Sequence, residues 1–453
     1  MRRFHGSQAA PRVGGGRWRE VALLAIAATL MPLLAWAWTT DHGSFNDFHD
    51  FWLAGKLLLA GHSPYDVQAL RSLAATEHLS FLVGGGYSYP LPFAIFMIPF
   101  ALLPFQTSLV LFLSLSIASF GLTVAAWIVW AHGWEPALGR RRLGLALAAG
   151  CYPPVFGTVA NGQANLILMP LMAGGMILAL TAASSRRRFG GGVLFGLAAV
   201  VKLFPGVVVV PLAIGRRWSA AVGTLAGAAG AMVAATLLAP WAAAQSGDGF
   251  ARLLEPDPYF TNQSFNGFMS RLVNRSERTL PPFEHAFDPR LPMLALTAAF
   301  GLMTLALLWQ ARDRMTTPRG LALGLALALV AGVIGAPKNS FWNGALALPA
   351  VGLLLAFDAV DLRLRGLGRT DLILLAFWLG SSVVWTVLWM SPPPKTFALP
   401  ALVTLLQSAG LYGLLALWLV LARRLTMPRA VLDPSAASAA ASLRHDLVAE
   451  PRP

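Results

Sequence analysis

Residues 191–214 read GGVLFGLAAVVKLFPGVVVVPLAI, and the way this run folds decides the topology of everything after it. It is long enough to cross a bilayer as one helix. A single span would leave Lys202 at the centre of the hydrocarbon, at roughly 2.5–3.5 kcal/mol on the mild insertion scale. Pro205 would break the helix beside it. Two half-helices that meet at a tip carrying Lys202 avoid both penalties, so a half-helix hairpin is expected here.

The chain around this run has 453 residues, 56% of them hydrophobic and 12% charged. A soluble domain carries about 25% charged residues. The apolar runs are near 20 residues long rather than alternating tens, which points to helical spans and not a barrel. The expected fold class is therefore all-α, a polytopic helical membrane protein. About ten full spans are expected, near 20–38, 107–131, 142–160, 163–183, 218–240, 291–311, 319–336, 341–358, 371–390 and 398–421. The Pro-rich segment PLPFAIFMIPFALLPF (90–105) is too short for a secure span and reads as an interfacial or re-entrant hairpin. An AWA tripeptide (35–37) resembles a cleavage site, but the apolar run before it is longer than a signal peptide's, so the first span is read as uncleaved. Domain organisation follows: a basic cytoplasmic N-terminus (1–20), a transmembrane domain (21–421) and a small, polar, disordered cytoplasmic tail (422–453).

Charge tests this topology. With the hairpin and a cytoplasmic N-terminus, 24 of the 34 Lys and Arg residues fall on the cytoplasmic side, as the positive-inside rule requires. Counting 191–214 as one full span would invert every later loop and put RDRMTTPR and RLRGLGR outside. The net charge of +14 is thus a membrane-facing basic rim and gives no reason to expect nucleic acid. The one cysteine, Cys151, excludes internal disulfides and a cysteine metal site.

On this topology the unusual polar groups gather on the outer face. Two outer segments are long, 39–106 and 241–290. NDFHD (46–50) follows the first span. Asn161, Gln163 and Asn165 occupy a tight turn, Lys202 sits at the hairpin tip, NQSFNGFMSR (262–271) lies in the second long loop, and APKNSFWN (336–343) caps a later turn. Clusters drawn from distant parts of the chain to one side suggest one site.

Each residue has a bland reading beside the chemical one. Asp47 and Asp50 could serve as general bases or merely cap a helix, in an amphipathic segment lying along the membrane. Asp47, His49 and Asp50 are too unspecific a set for a metal, and no metal or other cofactor is expected. Lys202 and Arg271 could hold a phosphate or contact headgroups. Gln163 and Asn165 could bind sugar hydroxyls or cap their turn. Tyr89 fits a sugar platform or an aromatic belt.

Several motifs, taken in order, carry a resemblance. They are DFHDFWLAGKLLLAGHSPYD (47–66), YSYPLPFAIFMIPFALLPF (87–105), GQANLILMPLMAGG (162–175), VKLFPGVVVVPLAIGRRW (201–218) and NQSFNG (262–267). The set resembles glycosyltransferase family 87 over roughly residues 20–360. The resemblance implies a GT-C-like fold and an inverting, metal-independent transferase of the mannosyltransferase type. It further implies a polyprenyl-phosphate-linked sugar donor, a glycolipid or polysaccharide acceptor, and an active site on the non-cytoplasmic face of the cytoplasmic membrane. It also implies Asp47, rather than Asp50, as catalytic base, with Gln163 and Lys202 lining the site; from their place on the outer face, Asn161, Asn262, Gln263 and Tyr89 are expected to bind substrate beside them. Where such proteins often carry Ser-Pro-x-x-Trp-x-His-His, this chain has APKNSFWN, so any role of those histidines is either missing or moved to Lys338 or Asn343. A secondary transporter is the alternative from another class, and would need repeats and midplane ionisable groups. A lipid flippase or an inactive envelope scaffold is the other.

Overall fold

The computed structural model describes residues 15–42, 45–79, 86–132, 139–358, 367–390 and 400–427. The extreme N-terminus and most of the tail expected to be disordered lie outside the described residues. Among those residues the secondary structure is helical apart from two isolated bridges, Asn262 with Ser340 and Ser276 with Thr279.

The helices are α1 (Gly15–His42), α2 (Asn46–Leu59), α3 (Val67–Thr76), α4 (Leu91–Phe96), α5 (Ile98–Ala101), α6 (Phe105–His132), α7 (Gly139–Gly150), α8 (Pro153–Ala160), α9 (Asn165–Thr181) and α10 (Ser185–Ala199). After a 3-10 turn at Phe204–Val208 come α11 (Val209–Ile214), α12 (Trp218–Leu238), α13 (Pro240–Ala243), α14 (Ser246–Leu253), α15 (Phe265–Val273), α16 (Arg290–Gln310) and α17 (Pro318–Gly335). A second 3-10 turn, Phe341–Ala347, leads into α18 (Leu348–Asp358), and α19 (Arg369–Met390), α20 (Pro400–Gln407) and α21 (Ala409–Thr426) follow. Seven of these helices are long and apolar enough to cross a bilayer: α1, α6, α12, α16, α17, α19 and α21. The count is eight if α7 and α8, bent by 48° at Cys151–Tyr152, form one span. The protein is a polytopic helical membrane protein.

Three expected spans take other shapes. Residues 142–160 bend where Pro153 and Pro154 start a new helix, α9 is a 17-residue helix, and 341–358 opens as a 3-10 turn. The last span is shifted to 409–426, because the chain breaks at Ser408. There the Gln407 carbonyl accepts from Gln263 and the Ser408 hydroxyl accepts from Arg271.

The 191–214 run is broken where Lys202 and Pro205 fall. α10 and α12 pack side by side and run parallel. A Cβ on Gly223 would meet the Phe189 carbonyl, and one on Gly227 the Val193 carbonyl. Glycines four apart on both helices, 192 and 196 against 223 and 227, let the backbones touch, as small residues do in membrane interfaces. Because the two helices are parallel, the chain between them must double back. Lys202 therefore lies at the opposite end of the bundle from Arg186, Arg187, Arg188, Arg216 and Arg217.

The same polarity repeats elsewhere. α1 and the α7–α8 pair are parallel: Glu20 pairs with Arg142 at one end, and Trp38 meets Phe156 near the other. Arg314 bonds the Leu425 carbonyl, and Asp371 pairs with Arg423 and Arg424. The basic clusters thus collect at one end, and the ends of α1, α8, α10 and α17 collect at the other. α17 is buried nearly all round and forms the centre of the core.

Candidate active site

The site begins where α8 runs head-on into α2. Gly162 has φ +63° and ends α8 in a Schellman turn: its N–H reaches the Val159 carbonyl, and that of Gln163 reaches Thr158. The freed Asn161 carbonyl accepts from the backbone N–H groups of Asp47 (3.1 Å) and Phe48 (3.3 Å). The N-cap residue, Phe45, makes no side-chain cap bond to α2. The first-turn donors that Asp47 would satisfy as a cap are thus already engaged by Asn161, and the Oδ2 atom of Asp47 is buried with no hydrogen-bond partner among the described residues. A Cβ at position 162 would lie 2.6 Å from Cβ of Phe48, so the turn and the helix meet this closely only through glycine. α2 itself is not a surface helix. Phe48, Phe51, Trp52, Leu53 and Ala54 are all buried, and it packs on α4, α5 and α6.

From Asp47 a chain of polar groups crosses to the later helices. The Gln163 amide donates to the Tyr89 hydroxyl (2.7 Å). The Lys202 ammonium stands 5.4 Å from the Tyr89 ring centroid and donates to Oδ1 of Asn343 (2.6 Å). Five residues spread over some 300 positions of sequence thus form one network.

Burial sets its electrostatics. It raises the Asp47 pKa to about 6, against the Gln163 amide and the Lys202 charge, which lower it. Burial also raises Asp50 to about 7, and the Asp47 charge adds to that. Lys202 moves the other way, lowered to about 7 by burial against the pull of Asp47. Two neighbouring carboxyls with separated pKa values can divide the roles of proton acceptor and hydrogen-bond donor.

These groups open into one cavity of about 1560 Å³. Asp47, Asp50, Tyr89, Asn161, Gln163, Lys202, Lys338 and Asn343, all singled out in the sequence, line it. From this polar end the cavity continues along one apolar face of α17, Ala328, Ala331, Gly332 and Gly335, and one face of α16 from Thr297 to Leu308. That face is about 16 Å long at the helical rise. Val210 and Leu305 also belong to a wholly apolar groove on the outside of α11 and α16.

Four expected residues are not brought to the cavity. Asn165 donates to Thr158 and to the Trp342 carbonyl, behind the wall. Asn262 and Gln263 join their loop to 339–341: Asn262 accepts from the Asn339 N–H, and Gln263 donates to the Asn339 carbonyl. Arg271 is fully buried on the Asn262 and Tyr259 carbonyls and the Ser408 hydroxyl. These groups hold the loops that present Lys338 and Asn343. His49 packs on the Phe105 ring, and no cluster of metal-binding type occurs among the described residues.

Residues 87–337 match glycosyltransferase family 87. The chain belongs to that family. No curated protein matches it. The matched region contains Tyr89, Asn161, Gln163 and Lys202, while Asp47, Lys338 and Asn343 fall outside it and join the site through the fold. This glycosyltransferase also lines its cavity with Trp342, from the APKNSFWN turn, and with residues that the sequence did not single out: Trp38, Asp257, Glu277, Arg278 and Trp389. They sit in loops and at helix ends, where a polar or aromatic residue has no distinguishing pattern.

Proposed function

We propose that this membrane glycosyltransferase takes its sugar from a polyprenyl-phosphate donor and transfers it, with inversion, to a hydroxyl of a glycolipid or polysaccharide on the non-cytoplasmic face of the cytoplasmic membrane. The observation that carries the donor class is the continuity of the cavity. A polar end with Asp47, Gln163, Lys202 and Asn343 leads directly into an apolar face between α16 and α17 and towards an apolar groove on the bundle surface. A lipid chain fits such a path, with its phosphate at the polar end; a nucleotide donor would have no use for it. The 24 Lys and Arg residues assigned to the cytoplasmic side support the outer-face orientation.

In this reading Asp47, ionised, accepts the proton of the acceptor hydroxyl as its oxygen bonds to the anomeric carbon. The bond from that carbon to the phosphate oxygen breaks, and the electron pair leaves with the lipid phosphate. Lys202 and Lys338 offset the charge that develops there. A single displacement inverts the anomeric centre. Asp50 stays protonated longer than Asp47 and donates a hydrogen bond to a sugar hydroxyl. The transporter and flippase readings give way to the family assignment.

The test is transfer of radiolabelled hexose from a polyprenyl-phosphate donor by purified protein in nanodiscs. Asp47→Asn keeps the size of the side chain but takes no proton, so turnover falls at least about 100-fold in a well-folded protein. Near-normal turnover of Asp47→Asn would place the base elsewhere. No transfer by the wild-type protein from any such donor would favour the inactive scaffold.

A further inference from the structure

The cavity has a second wall that the donor chemistry does not use. Phe156 of α8 is flanked by Trp38 (5.6 Å between ring centroids) and Trp389 (6.1 Å), and Trp342 packs over Gly157, the next residue. Trp38, Trp342 and Trp389 all line the cavity. This aromatic wall therefore follows α8 towards Asn161, whose carbonyl holds the N-terminus of the helix bearing Asp47.

Polar groups edge the same wall. Arg278 donates to the Trp389 carbonyl (3.0 Å) and lies 4.9 Å from the Phe260 ring centroid. Glu277 and Asp257 line the cavity with it. Tyr259 lines the cavity beside them, and its backbone N–H donates to the Asp257 carboxylate (3.1 Å). The indole Nε1 of Trp342, a residue 6% exposed, has no hydrogen-bond partner among the described residues. A buried indole donor ordinarily finds one.

We propose that this wall is a saccharide-binding subsite, and that its ligand is a neutral sugar chain rather than an anionic headgroup. Aromatic faces are negative and attract the polarised C–H groups of a pyranose. Carboxylates accept from sugar hydroxyls, and a guanidinium donates to them. The charge balance selects among ligands. Glu277 and Asp257 outnumber the one guanidinium, and Arg278 is already committed to a carbonyl and a ring. An anion here would meet more repulsion than attraction. That the bound sugar is the acceptor rests on the transferase reading above; that the wall binds sugar does not.

The experiment needs no donor. Binding of linear mannotriose and of maltotriose to the purified full-length protein in nanodiscs is followed by saturation-transfer NMR, beside the 6-phosphates of both. The neutral trisaccharides are expected to bind at millimolar concentration or better and the phosphorylated forms more weakly. Trp389→Ala and Arg278→Ala should each weaken binding at least about tenfold, as truncation of Trp and Arg anchors does. Trp389→Phe keeps an aromatic face and should recover most of the loss, which guards against a folding artefact, as does Glu277→Gln with its unchanged size. No binding of either neutral trisaccharide, tighter binding of the phosphorylated forms, or unchanged affinity in all the variants would each overturn the proposal. If sugar binds as expected but no donor supports transfer, the transferase mechanism fails and the subsite stands.

Discussion

Lys202 donates a hydrogen bond to Asn343 across 2.6 Å, joining the tip of the broken hairpin to the turn after α17. Among the described residues no carboxylate pairs directly with its ammonium, which keeps its charge against burial through an amide oxygen and the field of Asp47. Asn343→Asp would place a full charge at that contact and raise the Lys202 pKa. If the ammonium is needed for departure of the phosphate, activity is lost as pH rises through about 7 in the wild-type protein. The alkaline limb of kcat/KM should then move to higher pH in Asn343→Asp. An unmoved limb would show that it belongs to another group.

If Asp47 is the base, it governs the opposite limb. Its folded-state pKa is raised to about 6, so the carboxylate is protonated, and activity lost, as pH falls through that value. Asp50, raised to about 7, is still largely protonated where Asp47 titrates, so Asp50→Asn should leave this limb near its wild-type pH, with a milder loss of rate than Asp47→Asn. The pH dependence of kcat/KM for both proteins checks the order.

Gly162→Ala adds a Cβ at 2.6 Å from Cβ of Phe48 and at a left-handed φ. The α2 N-terminus must shift to accept it. A displacement of about 1 Å in a catalytic group can cost on the order of 100-fold. Turnover should therefore drop by about that much, with helix content retained by circular dichroism. Unchanged turnover would show that the α2–α8 junction does not position Asp47.

Asp371 is buried against Arg424 (2.6 Å), with Arg423 beside it (3.3 Å), and ties α19 to α21 far from the cavity. Removing one member of a buried pair strands the other charge, at about 3–5 kcal/mol. Asp371→Ala should lower the melting temperature strongly and leave the pH profile of any surviving activity unchanged.

Topology can be read with thiol labels in a Cys151→Ser background. His62 and Glu277 are exposed and lie in the two long segments expected on the outer face, and Arg312 is exposed on the basic side. Cysteines at His62 and Glu277 should react with an impermeant reagent in spheroplasts, and one at Arg312 only after permeabilisation. Ser264, although in the same loop, is buried on Asn262 and the Pro337 carbonyl and would report nothing.

The sequence by itself determined the membrane class, the break at Lys202 and Pro205, and which turns would share a side. These are set by burial of apolar length and by the cost of a charge in hydrocarbon, which act locally along the chain. It also marked Asp47, Tyr89, Gln163, Lys202 and Asn343, because polar residues at the ends of apolar runs stand out. Only the tertiary structure decided which polar groups face the cavity. Asn165, Asn262, Gln263 and Arg271 looked no different from Gln163 and Asn343, yet they turn inward to backbone groups: Asn165 donates to the Trp342 carbonyl, Asn262 accepts from the Asn339 N–H, Gln263 donates to the Gln407 carbonyl and Arg271 to the Asn262 carbonyl. The aromatic wall was invisible for the same reason: Trp38, Trp342 and Trp389 come together only where three distant segments pack around α8. Hydrogen-bond partners and cavity walls depend on packing between segments far apart in sequence, and no local pattern encodes which segment will arrive.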